Sequence, residues 1–405
     1  MIKILKYGQV PNSEIFSRVS PTVNVEAIVA DIIADVRKNG DAAVLAYNRK
    51  FDGCDLTALE VSEEEIQQAF EAVEPKFLEI LRSAAENIRA FHSKQVRNSF
   101  VISEKDGVIT GQKVTPIENV GIYVPGGTAA YPSTVLMDAI PAKIAGCKEI
   151  CIVTPPSKDG KVNPVILAAA KIAGVDRIFK VGGAQAVAAL AYGTKSVPMV
   201  DKIVGPGNAF VTAAKRQVYG YVAIDQVAGP SEIAVLTDGS VDPAWIAADL
   251  LSQAEHGSGY EKSLCVCTDW AFAESVKAEV LRQAKTLERR EIVKRVIDRD
   301  GILIVVAHDL KEGMDIVNRF APEHFEIMTR DALKVMRGVR SAGAVFAGSF
   351  SRYHALLRGQ IALPLAKFCK SDFAAEFMAE ALLTWSMAGK SFDDICGIVY
   401  LNFNF

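Results

Sequence analysis

At Val120-Gly121-Ile122-Tyr123-Val124-Pro125-Gly126-Gly127, a short apolar strand pattern runs into a glycine-rich turn. The same order of strand, turn and helix recurs at 149–173, at 177–192 and from residue 202 onward. Short apolar strands that alternate with helices are typical of parallel βαβ units. The sequence between 119 and 230 is therefore predicted to form an α/β domain around a parallel sheet.

A second α/β pattern begins after Gly229, with strands near 233–237, 263–268 and 302–306. Residues 24–100 show helical spacing without a strand, so we expect these helices to pack with residues 231–347. The predicted fold class is α/β, with two incomplete parallel-sheet domains, N-terminal helices and an atypical C-terminal tail. The predicted divisions are an arm at 1–20, a discontinuous first α/β domain at 21–118 and 231–347, a second at 119–230, and a divergent tail at 348–405.

Composition excludes several functional classes. Half of the 405 residues are hydrophobic and 23% are charged, as in ordinary globular proteins. A net charge of −3 gives no broad attraction to nucleic acid or to anionic lipid. The N-terminus lacks a signal peptide, and no apolar run reaches the roughly 20 residues of a membrane span. Seven cysteines without disulfide spacing are expected of a protein in the reducing cytoplasm.

Three glycine-rich turns are candidates for binding an anionic group, because such turns expose backbone N–H groups at a helix N-terminus. They are Pro125-Gly126-Gly127, Gly182-Gly183-Ala184-Gln185 and Gly205-Pro206-Gly207-Asn208. None is a complete dinucleotide fingerprint, and each alone is equally consistent with an ordinary α/β loop. Their succession at one end of neighbouring parallel strands favours a ligand site. Gln185 and Asn208 would add amide groups suited to ribose or nicotinamide.

Two polar clusters interrupt otherwise apolar elements. Gln253 and His256 are three residues apart, so a helix would place both on one face, where they could ligate a divalent cation. Glu323 and His324 are adjacent, which suits proton transfer. Ser231 is placed either to cap a helix or to hydrogen-bond a small substrate. The simpler alternative for the two clusters is a surface glutamine and a histidine at a helix end.

Seven motifs, in this order, resemble the histidinol dehydrogenase family. The resemblance runs from about residue 25 to Ser351, roughly four-fifths of the chain. The motifs are Val36-Arg37-x-x-Gly40-Asp41 with Tyr47-x-x-x-Phe51-Asp52, Gly121-Ile122-Tyr123-Val124-Pro125-Gly126-Gly127, Gly183-Ala184-Gln185-Ala186, Gly205-Pro206-Gly207-Asn208, Gly229-Pro230-Ser231-Glu232, Gln253-Ala254-Glu255-His256-Gly257 and Ala321-Pro322-Glu323-His324.

The resemblance implies a zinc-dependent, homodimeric, cytoplasmic enzyme with two incomplete Rossmann-like domains. Such an enzyme oxidises L-histidinol through L-histidinaldehyde to L-histidine with two NAD in turn, as the last step of histidine biosynthesis. By position, Tyr123, Gln185 and Asn208 would bind the NAD cofactor.

The resemblance also implies roles at the reacting end of the substrate. Ser231, Gln253, His256 and His324 would bind substrate, and Gln253 and His256 would also ligate Zn²⁺. Glu323 and His324 would be the catalytic acid/base pair. His324 would take the hydroxyl proton as hydride leaves, and Glu323 would activate water on the aldehyde.

The resemblance ends after Ser351. Nine of the 54 residues from Arg352 onward are aromatic, against 23 of the preceding 351. The family's remaining zinc ligands, an Asp and a His, have no counterpart there. We hypothesise that 352–405 derive from a shifted reading frame, which translation of the other two frames would test. If the tail is genuine, weak zinc binding and impaired turnover are expected. The alternatives are then a non-catalytic NAD- or substrate-binding paralogue, or a dehydrogenase of another amino or sulfonated alcohol.

Overall fold

A computed structural model describes residues 2–18, 25–105, 107–126, 130–227 and 229–348, together with the backbone of 399–401. Gly127 and nearly all of the predicted tail therefore lie outside the described residues. The reading-frame hypothesis concerns 352–405 and stays a prediction. Within the described residues, no helix is both long and apolar enough to cross a membrane.

The middle of the chain forms a five-stranded parallel sheet, which confirms the predicted α/β class. Its strands are β4 (Asn119–Tyr123), β5 (Glu149–Thr154), β6 (Arg177–Lys180), β7 (Lys202–Val204) and β8 (Ala223–Ile224). Its helices are α6 (Pro132–Ala145), α7 (Pro164–Ala173), α8 (Gly183–Tyr192) and α9 (Ala209–Val218). The strand order is β6-β5-β4-β7-β8, so the order reverses at β4. Ligands of open α/β sheets bind at such a reversal, beyond the carboxyl ends of the strands.

The N-terminal helices pack on this sheet domain. They are α2 (Glu26–Asn39), α3 (Asp41–Tyr47), a π-helical turn (Asn48–Asp52), α4 (Glu63–Ala72), α5 (Pro75–His92) and a 3₁₀ turn (Ser93–Gln95). Their apolar faces share two hydrophobic clusters with the strands and helices of 120–222. The expectation that they pack with residues 231–347 is therefore wrong. The physical reason is that the second sheet buries both faces without them.

The second sheet has the order β1-β11-β10-β9-β12-β13-β14 and is parallel except for the last pair. Its strands are β1 (Lys3–Lys6), β9 (Glu232–Thr237), β10 (Lys262–Cys267), β11 (Ile302–Val306), β12 (His324–Met328), β13 (Ala344–Ala347) and β14 (Val399–Leu401). Its helices are α1 (Asn12–Phe16), α10 (Pro243–Ala254), α11 (Trp270–Gln283), α12 (Arg290–Asp298), α13 (Leu310–Phe320) and α14 (Ala332–Met336). The predicted arm is thus an integral part of this sheet, because β1 pairs with β11.

A hairpin of β2 (Phe100–Lys105) and β3 (Val108–Gln112) connects the N-terminal helices to β4. It belongs to neither large sheet. Several of its apolar side chains face solvent, with Val101 72% and Ile109 76% exposed. A pair of apolar strands in this state favours contact with another surface.

Candidate active site

Tyr123, Gln185 and Asn208, the three predicted cofactor residues, line one cavity of about 950 Å³. The cavity lies at the carboxyl end of the five-stranded sheet, where the strand order reverses. Its lining also includes Gly126 and Gly183 from the glycine-rich turns. The three turns therefore meet at one site, as their positions in the sequence predicted.

Tyr123 ends strand β4 and is buried. Its hydroxyl oxygen accepts a hydrogen bond of 3.0 Å from the N–H of Gly183, at the start of α8. Burial raises the pKa of the phenol to about 12, so the group stays protonated at neutral pH. The phenol is therefore left with its own O–H to donate to a ligand in the cavity.

Gln185 is buried in the first turn of α8, and its Oε1 has no hydrogen-bond partner within the part of the chain that the structure describes. Gly183 has a φ of +66°, and a Cβ there would lie 2.6 Å from this oxygen. Glycine is thus favoured at 183 by its conformation, and a side chain there would also displace the Gln185 amide. A buried amide oxygen of this kind is suited to a ligand that donates a hydrogen bond.

Asn208 has a structural role that the sequence reasoning did not assign to it. It caps α9, and its Oδ1 accepts hydrogen bonds from the N–H groups of Phe210 at 3.0 Å and Val211 at 3.2 Å. The side-chain NH₂ group is not used by the cap. Asn208 can therefore hold the helix terminus and still donate to a ligand.

An ion pair between Lys215 and Asp225 holds the backbone of the third glycine turn, at Gly205. Gly205 has a φ of +106°, and its N–H donates to Asp225 at 2.8 Å. The ammonium group of Lys215, in α9, donates to the Gly205 carbonyl at 3.0 Å and also pairs with Asp225. These contacts fix the backbone that leads to Asn208.

A further wall of the cavity comes from the N-terminal helices, which sequence reasoning did not place there. Asp52 ends the π-helical turn, and its Oδ2 is buried with no hydrogen-bond partner among the described residues. Burial raises the pKa of this carboxyl to about 6. The only sequence signal was the Phe51-Asp52 pair within a family-like motif.

The second group of predicted residues comprises those predicted to bind substrate or metal or to act as the acid/base pair. It lies at the amino edge of the seven-stranded sheet. Ser231 immediately precedes β9, and Glu323 immediately precedes β12, the neighbouring strand. Helix α10 runs back from the carboxyl end of β9, so Gln253 and His256 return to this same edge. Since Ser231 precedes a strand, the helix-capping alternative for it is wrong.

Glu323 and His324 adjoin the start of β9. Oε2 of Glu323 accepts a hydrogen bond of 3.3 Å from the N–H of Glu232, and it lies 3.8 Å from Nδ1 of His324. The side chain of Glu323 is 47% exposed and that of His324 is 14% exposed. The carboxylate therefore reaches solvent while the imidazole is sheltered.

Strand alternation directs His324 toward α10. In β12, Phe325 and Ile327 face the cluster formed with α13, so His324 faces the opposite side. Its partner in register, Ile233, packs in the cluster that includes Leu250 of α10. The histidine and α10 thus share one face of the sheet.

Gln253 is fully buried in the last turn of α10, and His256 lies two residues beyond the helix end at Ala254. Nε2 of Gln253 lies 3.3 Å from Nδ1 of His256. Oε1 of Gln253 has no hydrogen-bond partner in the described ranges. These two side chains could offer an amide oxygen and an imidazole nitrogen as ligands to a cation. The described residues contain no group of three His, Cys, Asp or Glu side chains that could hold a metal ion.

The two groups of predicted residues occupy separate places. Among the described residues, the lining of the cofactor cavity includes none of Ser231, Gln253, His256, Glu323 or His324. The cavity belongs to the carboxyl edge of one sheet, and the second group belongs to the amino edge of the other. Each group is brought together, but by a different domain.

The sequence comparisons agree on one family. The sequence profile of histidinol dehydrogenase matches residues 17–355, which include all eight predicted site residues. A histidinol dehydrogenase of Geobacillus kaustophilus (strain HTA426) is 52% identical over 332 residues, 82% of this chain and 78% of that protein. One of Listeria monocytogenes serovar 1/2a is 49% identical over 330 residues, covering 82% and 77%. The crystal structure of histidinol dehydrogenase from Elizabethkingia anophelis aligns with a TM-score of 0.82 and 34% identity, covering 98% of this chain and 89% of that one. This chain belongs to the histidinol dehydrogenase family.

Proposed function

We propose that this protein oxidises L-histidinol through L-histidinaldehyde to L-histidine, consuming two NAD in turn, as the last step of histidine biosynthesis. The observation that carries the proposal is 52% identity to a histidinol dehydrogenase over 82% of the chain. A cavity lined by Tyr123, Gln185 and Asn208 supports NAD as the oxidant.

His324 is proposed as the base of the first oxidation. It takes the proton from the hydroxyl oxygen of histidinol while hydride leaves the carbon that bears this hydroxyl for NAD, which yields aldehyde and NADH. A sheltered imidazole suits this step, because bulk water competes poorly for its nitrogen.

Glu323 is proposed to activate water for the second oxidation. Its exposed carboxylate can hold a solvent water, remove a proton from it and direct the oxygen to the aldehyde carbon. Addition of that oxygen gives the gem-diolate, which gives hydride to a second NAD and becomes the carboxylic acid. Each oxidation transfers two electrons, so the four-electron reaction balances with two NAD and needs no cysteine nucleophile.

Gln253 and His256 are proposed as ligands of Zn²⁺, with Ser231 beside them as a substrate contact. Support comes from the buried, unpartnered Oε1 of Gln253 and the adjacent imidazole. When bound, zinc would supply an anchor for nitrogen atoms of the substrate. Structural and catalytic zinc sites use three or four protein ligands, so two donors predict weak binding. Calorimetric titration with Zn²⁺ tests this, and nanomolar affinity would contradict it.

A homodimer is proposed, with the β2–β3 hairpin at the interface. The support is the exposure of apolar side chains on both strands, above all Val101 and Ile109. Val101→Glu with Ile109→Glu should convert a dimer to a monomer in light scattering after gel filtration. Leu333→Glu is the matched control, because Leu333 is a half-exposed apolar residue outside the hairpin.

We also propose a cytoplasmic location. The five cysteines that the structure describes are free thiols, as a reducing compartment would leave them. Burial raises the pKa of Cys151 to about 12 and holds that of Cys265 well above its usual range. These thiols therefore resist oxidation and serve as packing groups.

A non-catalytic paralogue that binds NAD or substrate is the second candidate, with a dehydrogenase of another amino or sulfonated alcohol as a variant. It is favoured by two facts: the family match ends at residue 355, and the described residues contain no group of three His, Cys, Asp or Glu side chains that could hold a metal ion. NADH formation from histidinol with added zinc decides between the two. Turnover that falls at least 100-fold in Glu323→Gln and His324→Gln, with NADH binding unchanged, supports the enzyme. NADH binding without turnover in the unmodified protein supports the paralogue.

A further inference from the structure

We infer that Asp52 accepts hydrogen bonds from the adenosine ribose of the dinucleotide and thereby selects NAD over NADP. This inference rests on the proposed use of NAD. It assigns a role to a residue from the N-terminal helices, which lines the same cavity as the glycine-rich turns.

The carboxylate of Asp52 is built into the cavity wall. It ends the π-helical turn, and Gly53 follows with a φ of +68°. The turn is tied to the sheet by Asn48, whose side-chain amide donates to the Lys180 carbonyl at 2.6 Å. Tyr47 and Phe51 stack with ring centroids 5.6 Å apart, which stiffens the turn further. The position of the carboxylate is therefore fixed before a ligand arrives.

The carboxylate lacks a partner where it should have one. Oδ2 of Asp52 is buried without a hydrogen bond among the described residues, and its negative charge acts on the Tyr123 phenol within the same cavity. A buried carboxylate oxygen without a donor is costly, and two vicinal hydroxyls would satisfy it. A ribose diol is such a donor pair, and a carboxylate that binds one is a known device for NAD recognition.

The surroundings of Asp52 favour the adenosine end. Three apolar side chains that line the cavity are unusually exposed: Ile28 at 53%, Phe51 at 52% and Phe210 at 38%. Flat or branched apolar groups at a cavity mouth are suited to packing on a planar base. Backbone N–H groups of the first turn of α8, next to the Gly183 N–H that donates to Tyr123, suit a pyrophosphate in the same cavity.

Charge then sets the selectivity. NADP carries a phosphate on the 2′-oxygen of this ribose, where a carboxylate repels it and finds no hydroxyl proton. Lys50 and Lys158 also line the cavity and would attract a phosphate. Lys50 lies 5.2 Å over the Phe51 ring, on the exposed side of the turn. Because Asp52 is half-buried with its Oδ2 enclosed, while these lysines face water, the carboxylate should dominate the choice.

Direct binding tests the inference without turnover. Dissociation constants of NADH and NADPH are measured by nucleotide fluorescence for the unmodified protein, Asp52→Asn, Asp52→Glu and Asp55→Asn. Asp55→Asn is the matched control, because Asp55 lies in the same loop, is 74% exposed and pairs with Arg49. Melting curves show that each variant is folded.

The expected result is that Asp52→Asn weakens NADH binding about tenfold and lowers the preference for NADH over NADPH at least tenfold. Asp52→Glu keeps the acceptor and should keep most of the preference, and Asp55→Asn should keep all of it. An unchanged preference in Asp52→Asn overturns this inference and leaves the proposed function standing. If the unmodified protein binds neither nucleotide, the inference and the proposed function both fail.

Discussion

Replacing Lys215 with methionine tests whether the buried ion pair holds the third glycine turn. The Lys215 side chain is 5% exposed, while that of its partner Asp225 is 27% exposed. Removing one member of a buried pair costs roughly 3–5 kcal/mol, chiefly because the other charge stays desolvated. Water can recover part of that cost at Asp225, so we expect about 2–3 kcal/mol.

Native-state hydrogen exchange read by mass spectrometry is the suitable assay, because a chain with two sheet domains need not unfold in one step. The expected loss corresponds to exchange about 30–150 times faster in β7, β8 and α9. Peptides from the seven-stranded sheet should keep their rates. NADH binding should weaken as well, since Asn208 follows the released turn.

The double variant Lys215→Met with Asp225→Asn is the control. It removes both charges, and the amide oxygen introduced at position 225 can still accept the hydrogen bond from the Gly205 N–H. About half of the lost protection should return. A single variant within about 0.5 kcal/mol of the unmodified protein, or a double variant worse than the single one, would refute the reasoning.

Three further changes test other contacts. Arg18→Ala removes a guanidinium that pairs with Glu232 and donates to the Phe320 carbonyl, so the segments before β9 and β12 lose a common anchor. We expect about tenfold lower kcat with unchanged NADH affinity, and at most about 1 kcal/mol lower stability, because Arg18 is 45% exposed. Tyr123→Phe removes the acceptor for the Gly183 N–H and should raise the Kd of NADH about fivefold, measured by fluorescence. Asp52→Asn should raise the melting temperature of the ligand-free protein at pH 8. The pKa of Asp52 in the folded protein is about 6, above the ordinary aspartate pKa of 3.8. The stability that the protonated Asp52 carboxyl contributes is therefore present below pH 3.8 and is lost as the pH rises through 6. The gain should therefore vanish near pH 4, and an equal gain at both pH values would contradict the assignment.

The sequence predicted those parts of the site that depend on local pattern. Strand and turn order placed Tyr123, Gln185 and Asn208 at the ends of neighbouring parallel strands, and the structure brings them to one cavity. Helical spacing also predicted that Gln253 and His256 meet. Their nitrogens do lie 3.3 Å apart, but α10 ends at Ala254, so His256 approaches Gln253 from the turn that follows the helix and not from the same helix face. The first result follows from short-range geometry that every βαβ unit shares, whereas the second depends on the turn that ends α10.

Sequence reasoning was wrong or silent where distant segments meet. The N-terminal helices were expected on the second sheet, yet their apolar stripes fit the α6–α9 layer of the first. The role of Asp52 was invisible for the same reason, since its position in the cavity depends on that packing. The sequence left two roles open for Ser231, and the structure excludes helix capping because strand β9 begins at the next residue.

The order of strands, turns and helices, the family and the chemical character of each site residue were determined by the sequence alone, because they depend on residue type and near spacing. Which layer each helix covers, which face of β12 bears His324 and what closes the cavity opposite the glycine turns were decided by tertiary structure. An apolar stripe along a helix indicates only that this face of the helix must be buried. The partner that buries it is chosen by the shape and coverage of surfaces formed elsewhere in the chain.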